Sequence, residues 1–381
     1  MSQTESGSAA APEKKRARDT SLDIFRGLAI LEVVIHHTSS FALIRTGLGT
    51  ISHDAYVVLN RTLHFAVPAF LFIMGVLLTR TMLGKGKSWK DFFTRRAQQT
   101  LWPYVVWTAL YGAYRVLVGR NDLQWHNLLE PERIFHWLLW GKAWDHLYFL
   151  SLALQLYLVF PLLMRLFMRI RIGLAPVLVL TLAAQAAIHY FHGRELWPGM
   201  TFRLPYPGTA LIWHLIPVVT GAWVGVHLDE WPTLWNRWLK RVAVLMMVGG
   251  WTFYLPESYK ELHHVRVHSE LLHYSYWAFT LGTSFCLLTF CRYIARTMPR
   301  LGGALQWMGT QSMQVYLVHP MVLYLWASAT FSGSTTRFHF TVMLVAASAF
   351  GISLLISQLA ERLHLSMLLF GRPAPALKRL N

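Results

Sequence analysis

The chain has 381 residues, of which 54% are hydrophobic, 14% aromatic and only 14% charged, and its mean hydropathy is +0.36. A soluble domain carries about 25% charged residues, so the composition excludes an ordinary soluble globular protein and fits a chain that crosses a membrane many times. The formal net charge of +17 raises nucleic acid as a partner, but the cations follow the topology of the apolar stretches and no nucleic-acid-binding motif accompanies them.

Residues 1–19 are small, polar and basic, without an apolar core. They read as a disordered cytoplasmic tail, not a cleavable signal peptide. Ten apolar stretches follow, near 22–44, 56–79, 97–118, 146–166, 171–191, 207–227, 239–256, 271–291, 304–328 and 339–360. The expected fold class is therefore all-α: a polytopic membrane helical bundle of about ten transmembrane helices over residues 20–361, both termini cytoplasmic, closed by a short basic tail at 362–381. With the N-terminus inside, about 23 of the 35 Lys and Arg fall on the cytoplasmic side, about 9 fall in the opposite loops, and Arg26, Arg61 and Arg115 fall within spans, as the positive-inside rule requires. The basic charge is then topology first and contact with anionic membrane lipids second. Cys286 and Cys291 imply neither a disulfide framework nor a zinc site.

The first span runs Ser21-Leu22-Asp23-Ile24-Phe25-Arg26 and ends Ile35-His36-His37. Ionisable groups within a span are costly and mark a site by default. Arg26 and His37 are eleven residues apart, close to three helical turns, so they share one face about 16 Å apart along the axis. Asp23 lies one turn before Arg26 on nearly the same side. His36 is rotated about 100° from His37. A fixed cation at one depth and a titratable imidazole at another suit a reaction between an anionic molecule held at one face and a group acceptor met deeper in.

In the second span Pro68 and Gly75 permit a kink or a close helix approach. Arg61 and His64, one turn apart, either line an aqueous cavity or snorkel to the interface. The basic loop that follows carries Arg95 and Arg96 before Trp102-Pro103-Tyr104. Those arginines are either a positive-inside flank or a phosphate-holding surface, since the guanidinium fork matches phosphate oxygens. The fourth span opens Trp144-Asp145-His146-Leu147-Tyr148 within an aromatic belt, with His146 at its mouth. His263, His264 and His268 cluster in an outward loop, but no Asp/Glu/His set at ligand spacing completes them, so no metal is expected. The ninth span carries Tyr316-Leu317-Val318-His319-Pro320, where His319 is either a polar interhelical contact or cavity lining.

These residues together resemble acyltransferase family 3, the integral membrane acyltransferases. Arg26 and His37 match its Arg-x10-His pattern. Residues 69–78 resemble its aromatic-rich segment ending in Gly, Arg96 to Tyr104 its Arg-then-Pro-Tyr entry to the third span, Trp144 to Pro161 its His-Leu-Trp-Phe-Leu segment with a later Pro-Leu, and Tyr316 to Pro320 its late Tyr-Leu-x-His motif. The five lie in order over residues 21–360. The chain departs at Met74, where relatives usually show Ser, and at Tyr148, where Trp is commoner.

The resemblance implies a multi-pass enzyme of the bacterial cytoplasmic membrane that moves an acyl group, usually acetyl from acetyl-CoA, to a hydroxyl of a carbohydrate or lipid-linked acceptor. Acyl-CoA would be a donor co-substrate, with no cofactor bound permanently. Arg26, Arg95 and Arg96 would hold its phosphates. His37 with Arg26 would carry the chemistry, His37 serving as base or as covalent carrier. Arg61, His146, His319 and Asp23 are the secondary candidates. The rival reading is a transporter or flippase for a lipid-linked glycan, which would not specially require Arg26 and His37 on one face. Reporter fusions at Lys14 and Lys378 should both read cytoplasmic; opposite readings would mean an odd number of spans.

Overall fold

The computed structural model describes residues 19–84, 88–120, 123–327 and 335–372. The tails expected at 1–18 and 373–381, and Lys85 and Lys87 of the basic loop, lie outside the described residues. The chain is a helical bundle. Helix α1 (Thr20–Leu43) is followed by α2 (Ile51–Thr62), which passes through a single 3-10 turn into α3 (Ala66–Met82). Helix α4 (Trp89–Arg96) passes through a π-helical stretch, Ala97–Leu101, into α5 (Trp102–Leu117). Then come α6 (Pro131–Trp140), α7 (Tyr148–Arg169), α8 (Leu174–Phe191), a small antiparallel hairpin of β1 (Glu195–Trp197) and β2 (Met200–Thr201), α9 (Leu215–Val226) and α10 (Trp231–Leu234). The last part holds α11 (Arg237–Leu262), α12 (Ser269–Thr297), α13 (Pro299–Thr310), α14 (Ser312–Leu325), α15 (Thr335–Arg362) and α16 (Ser366–Phe370).

Each of the ten predicted stretches holds a helix or a helix pair. Five helical segments among the described residues are long and apolar enough to cross a membrane on their own: Ile51–Met82, Tyr148–Arg169, Leu174–Phe191, Ser269–Thr297 and Thr335–Arg362. Helix α1 is not one of them, because of its polar content. Its Asp23, Arg26, Glu32, His36 and His37 lower its apolarity, and it is shielded by contacts with α2, α3, α12, α13, α14 and α15. By contrast α8 and α15 expose Val179, Leu180, Met343 and Leu355. Those faces suit acyl chains, with no water to avoid.

Contacts between helix ends sort the bundle into two ends. At the Arg26 end, Arg292 pairs with Asp19 at 3.2 Å, Arg80 pairs with Asp229 at 2.9 Å, and the Trp102 indole donates to the Leu368 carbonyl at 3.0 Å. At the far end, Arg45 donates to the Ala327 carbonyl at 2.8 Å, Tyr56 bonds His339 at 2.8 Å, and Tyr259 donates to Asp54 at 3.0 Å.

Helix α1 lies against α13 at backbone distance. Gly27 faces the Leu305 carbonyl and Gly309 faces the Asp23 carbonyl, so closely that a Cβ at either glycine would overlap the opposite chain. Small residues at facing positions allow this approach, and dispersion between the two backbones holds it. The approach sets the depth of Arg26 beside the α13–α14 junction. Gly309→Val should therefore cost about 1–3 kcal/mol by overpacking and lower the melting temperature of the detergent-solubilised protein. Gly303→Ala, in the same helix with nothing within 4 Å of the new Cβ, should leave it unchanged or slightly raised. Equal effects of the two would remove the α1–α13 contact from the argument.

Candidate active site

The site begins with Arg26. Asp19 caps α1 by accepting from the Ser21 amide at 3.0 Å, and one turn later Asp23 and Arg26 pair at 3.5 Å. The same guanidinium donates to Ser312 Oγ at 2.7 Å. Ser312 is the first residue of α14, directly after the break at Gln311. Arg26 thus ties the start of the first helix to the joint of the ninth predicted span.

Arg26 lines a cavity of about 260 Å³. At its polar end stand Arg96, Gln99, Thr100, Tyr157 and Arg372, and the walls beyond are Phe70, Met74, Leu77, Phe149, Met313 and Tyr316. Three guanidinium groups and no carboxylate line it among the described residues. Arg96 reaches it because Phe92, one turn earlier on the same face, is buried. Its guanidinium lies 5.4 Å from the Phe92 ring centre and 5.3 Å from that of Tyr157, within cation–π range. Arg95, one residue earlier, is exposed and does not line the cavity. Adjacent residues on a helix point about 100° apart, so one turn of α4 delivers only one of the two. The π-helical stretch has a local cause. Pro103 has no N–H to return to the carbonyl four residues back, and the loosened turn brings Gln99 and Thr100 to the cavity.

The apolar end of the cavity stops at Tyr316, and behind Tyr316 is a row of histidines. Ring centres lie 6.2 Å apart for Tyr316–His319, 5.3 Å for His319–His37, 5.4 Å for His37–His36 and 5.6 Å for His36–His64, with His146 5.9 Å from His319. His319 Nδ1 is 2.8 Å from the Val315 carbonyl. A carbonyl only accepts, so that nitrogen carries the proton and Nε2 presents a lone pair, buried without a partner. His36 Nδ1 faces the Asn60 carbonyl at 3.1 Å in the same sense. His37 has no hydrogen-bonding partner among the described residues, and its ring keeps accessible surface deep in the bundle. An unclaimed imidazole beside a partner with a fixed tautomer is the arrangement a proton acceptor needs.

His146 is 3% exposed and both its ring nitrogens lack partners. It does not work with its neighbour: Asp145 turns outward to Arg120 at 2.9 Å. The turn carrying His146 is pinned by the Tyr316 phenol, which donates to the His146 carbonyl, and the end of α6 just before it is held by Tyr104, whose phenol faces the Trp137 and Leu138 carbonyls at 3.0 and 2.8 Å. Arg61 lies beside Tyr254 and the His36–His64 pair, inside the bundle. A second cavity, of about 150 Å³, reaches His64 from the far end, between His189, Trp213, Tyr254, His273 and Trp277. A larger open depression of about 510 Å³, around Arg115, Arg133 and Lys142, touches none of the histidines in the row.

Sequence reasoning placed Arg372 in a tail. The chain instead turns back after α15, and Arg372 enters the cavity beside Arg26. A signal was present in the short apolar run Ser366–Phe370, which a solvated tail would not need. Ser312 and the His36–His64 continuation of the row carried no signal, because they depend on which faces the helices present to one another.

Fold and site together define a polytopic helical membrane protein with a row of imidazoles inside the bundle between two cavities. The chain matches the acyltransferase domain model of acyltransferase family 3 over residues 19–362, nearly its whole length, and belongs to that family. It is accordingly a membrane acyltransferase. No curated protein matches it.

The two orphaned nitrogens of His146 carry a cost of about 1–3 kcal/mol each when buried unpaired. His146→Leu, of similar volume, should hold or raise the melting temperature. A fall of several degrees would mean that the imidazole is a packing element and not a group kept for the site.

Proposed function

We propose that this acyltransferase takes an acyl group, acetyl in the simplest case, from acyl-CoA held at the arginine-lined cavity and places it on a hydroxyl of a carbohydrate or lipid-linked acceptor that arrives from the opposite side. The observation that carries the reading is the cavity itself: three guanidinium groups and no carboxylate at one end, apolar walls at the other, and the histidine row directly behind the last wall residue. Acyl-CoA has the matching profile. Its nucleotide is multiply anionic and its pantetheine arm is slim and nearly neutral. The positive-inside distribution puts the arginine end in the cytoplasm, where acyl-CoA is found, and the membrane would be the cytoplasmic membrane of a bacterium. A cavity of about 260 Å³ is too small for a whole drug-sized ligand. It accommodates the arm, with the nucleotide outside toward the exposed Arg95.

In this mechanism the Tyr316 ring, the wall between the cavity and the histidine row, swings aside, and the thioester meets the acceptor at His37 behind it. A ring nitrogen of His37 takes the proton from the acceptor hydroxyl as its oxygen attacks the thioester carbonyl. The carbon–sulfur bond breaks, and the CoA thiolate leaves with the proton returned by His37. His319, its Nδ1 committed to Val315, holds a lone pair toward the same space and orients the pair. The cavity at His64, walled by aromatic rings that suit the apolar faces of sugars, admits the acceptor from the far end. A flippase would need passage for a whole glycan and gives no reason for an unclaimed imidazole next to the blind end of an anion-binding cavity.

His37→Ala should lower acyl transfer from acetyl-CoA by about 10²- to 10⁴-fold, the usual contribution of a general base, at unchanged expression. His36→Ala should act far more mildly, since its ring is tied to Asn60 and stacked on His64. Transfer assays at matched protein levels decide it, and a fully active His37→Ala variant would sink the assignment.

A further inference from the structure

The C-terminal segment beyond α15 is built as an anchored hook. His364 takes a positive φ of 57° and turns the chain. The Trp102 and Trp107 indoles then donate to the Leu368 and Leu369 carbonyls at 3.0 and 2.7 Å, and Phe370 is fully buried against Trp107. Gly371, at φ +65°, lies so close to the Gln98 carbonyl that a Cβ would overlap it, which joins the hook to the π-helical stretch. All of this holds the next residue, Arg372, inside the bundle. Its Nη2 donates to the Thr310 carbonyl at 3.0 Å and to Gln314 Oε1 at 2.8 Å, while its Nε is buried without a partner. Both partners that it does have are neutral.

Burying a guanidinium that has only neutral partners, close to a second one, is costly. Burial, with the Arg26 guanidinium adding to it and Asp23 offsetting only part, pushes the Arg372 group down to about 10 from its ordinary value. One carboxylate, Asp23, pairs with Arg26 and is the only negative charge among the causes of the Arg372 shift, while Arg372 adds a further cation to a cavity lined without carboxylates among the described residues. The missing element is an anion. We propose that Arg372 is a third phosphate-binding residue of the donor cavity, carried into place by the C-terminal hook, and that with Arg26 and Arg96 it grips the phosphate groups at the head of the pantetheine arm. The inference rests on the acyl-CoA reading of that cavity.

The test compares CoA with pantetheine, which has the arm and thiol but no phosphate, by calorimetric titration of the full-length protein. Wild type should bind CoA much more tightly than pantetheine. Arg372→Ala should weaken CoA about 10- to 100-fold, the loss of one charge-assisted contact, and leave pantetheine unchanged. Arg372→Lys, which keeps the charge and the packing stem but not the fork, should fall between. It also supplies the comparison if the Ala variant does not fold. An unchanged CoA-to-pantetheine ratio in the variants, or an equal loss of both ligands from a structural role of the hook, would overturn the proposal. A wild type that does not distinguish CoA from pantetheine would instead overturn the acyl-CoA reading itself.

Discussion

A guanidinium cannot lie within a helical bundle unless oxygen atoms surround it, and the placing of Arg26 depends on that constraint. Asp23 below it and Ser312 beside it supply those oxygens, and both are fixed by elements that the same contact joins. Once α1 is seated on α13 through Gly27 and Gly309, three helical turns carry the face of Arg26 up to His37. That face then meets α14, where His319 is waiting. Moving α1 by one residue along its axis would break the Ser312 bond and rotate His37 away from His319 in one step. The polar content of α1 that makes it a poor membrane span is thus the same content that makes it the centre of the bundle.

The reaction proposed above has two incompatible requirements, which the arrangement separates. Phosphate groups need fixed cations and access to water, while proton transfer from a hydroxyl needs a neutral imidazole shielded from both. The cavity divides these along its length, with guanidinium groups at one end and apolar side chains leading to Tyr316 at the other. The Tyr316 phenol is committed to the His146 carbonyl, so this ring stands as a wall and, in the proposed mechanism, leaves the proton chemistry to the histidines. Met74 is part of the apolar wall, which explains how a position where relatives usually carry a hydroxyl tolerates a thioether here: nothing polar in the wall needs a partner from it.

The parts of the site that follow from the period of a single helix were legible in the sequence. The Arg26–His37 stripe, the different direction of His36, and the polarity of the first span all come from 3.6 residues per turn. His319 beside Pro320 was legible as an anomaly, though only packing decided between interhelical contact and cavity lining: it is fully buried, packs against His37 and His146, and lines none of the cavities described. Arg95 and Arg96 could not be separated by eye as a pair, and the burial of Phe92 is what selects Arg96 for the cavity. Arg372 was read as part of a basic tail because its position depends on Trp102 and Trp107, far away in the chain. The ten stretches were legible as helices, but helix ends, the break at Gln311 and the fold-back after α15 depend on tertiary contacts that periodicity does not encode.

The most direct measurement is vectorial. Sealed membrane vesicles of known orientation would be given radiolabelled acetyl-CoA on one face only, and the label appearing on the acceptor fraction would be followed in wild type and in His37→Ala. The expected result is transfer only when acetyl-CoA meets the face bearing Arg26, Arg96 and Arg372, and none in the variant. Equal transfer from either face, or transfer only from the face bearing Arg45 and Arg120, would contradict the division of the molecule into an arginine-lined donor end and a histidine row beyond it.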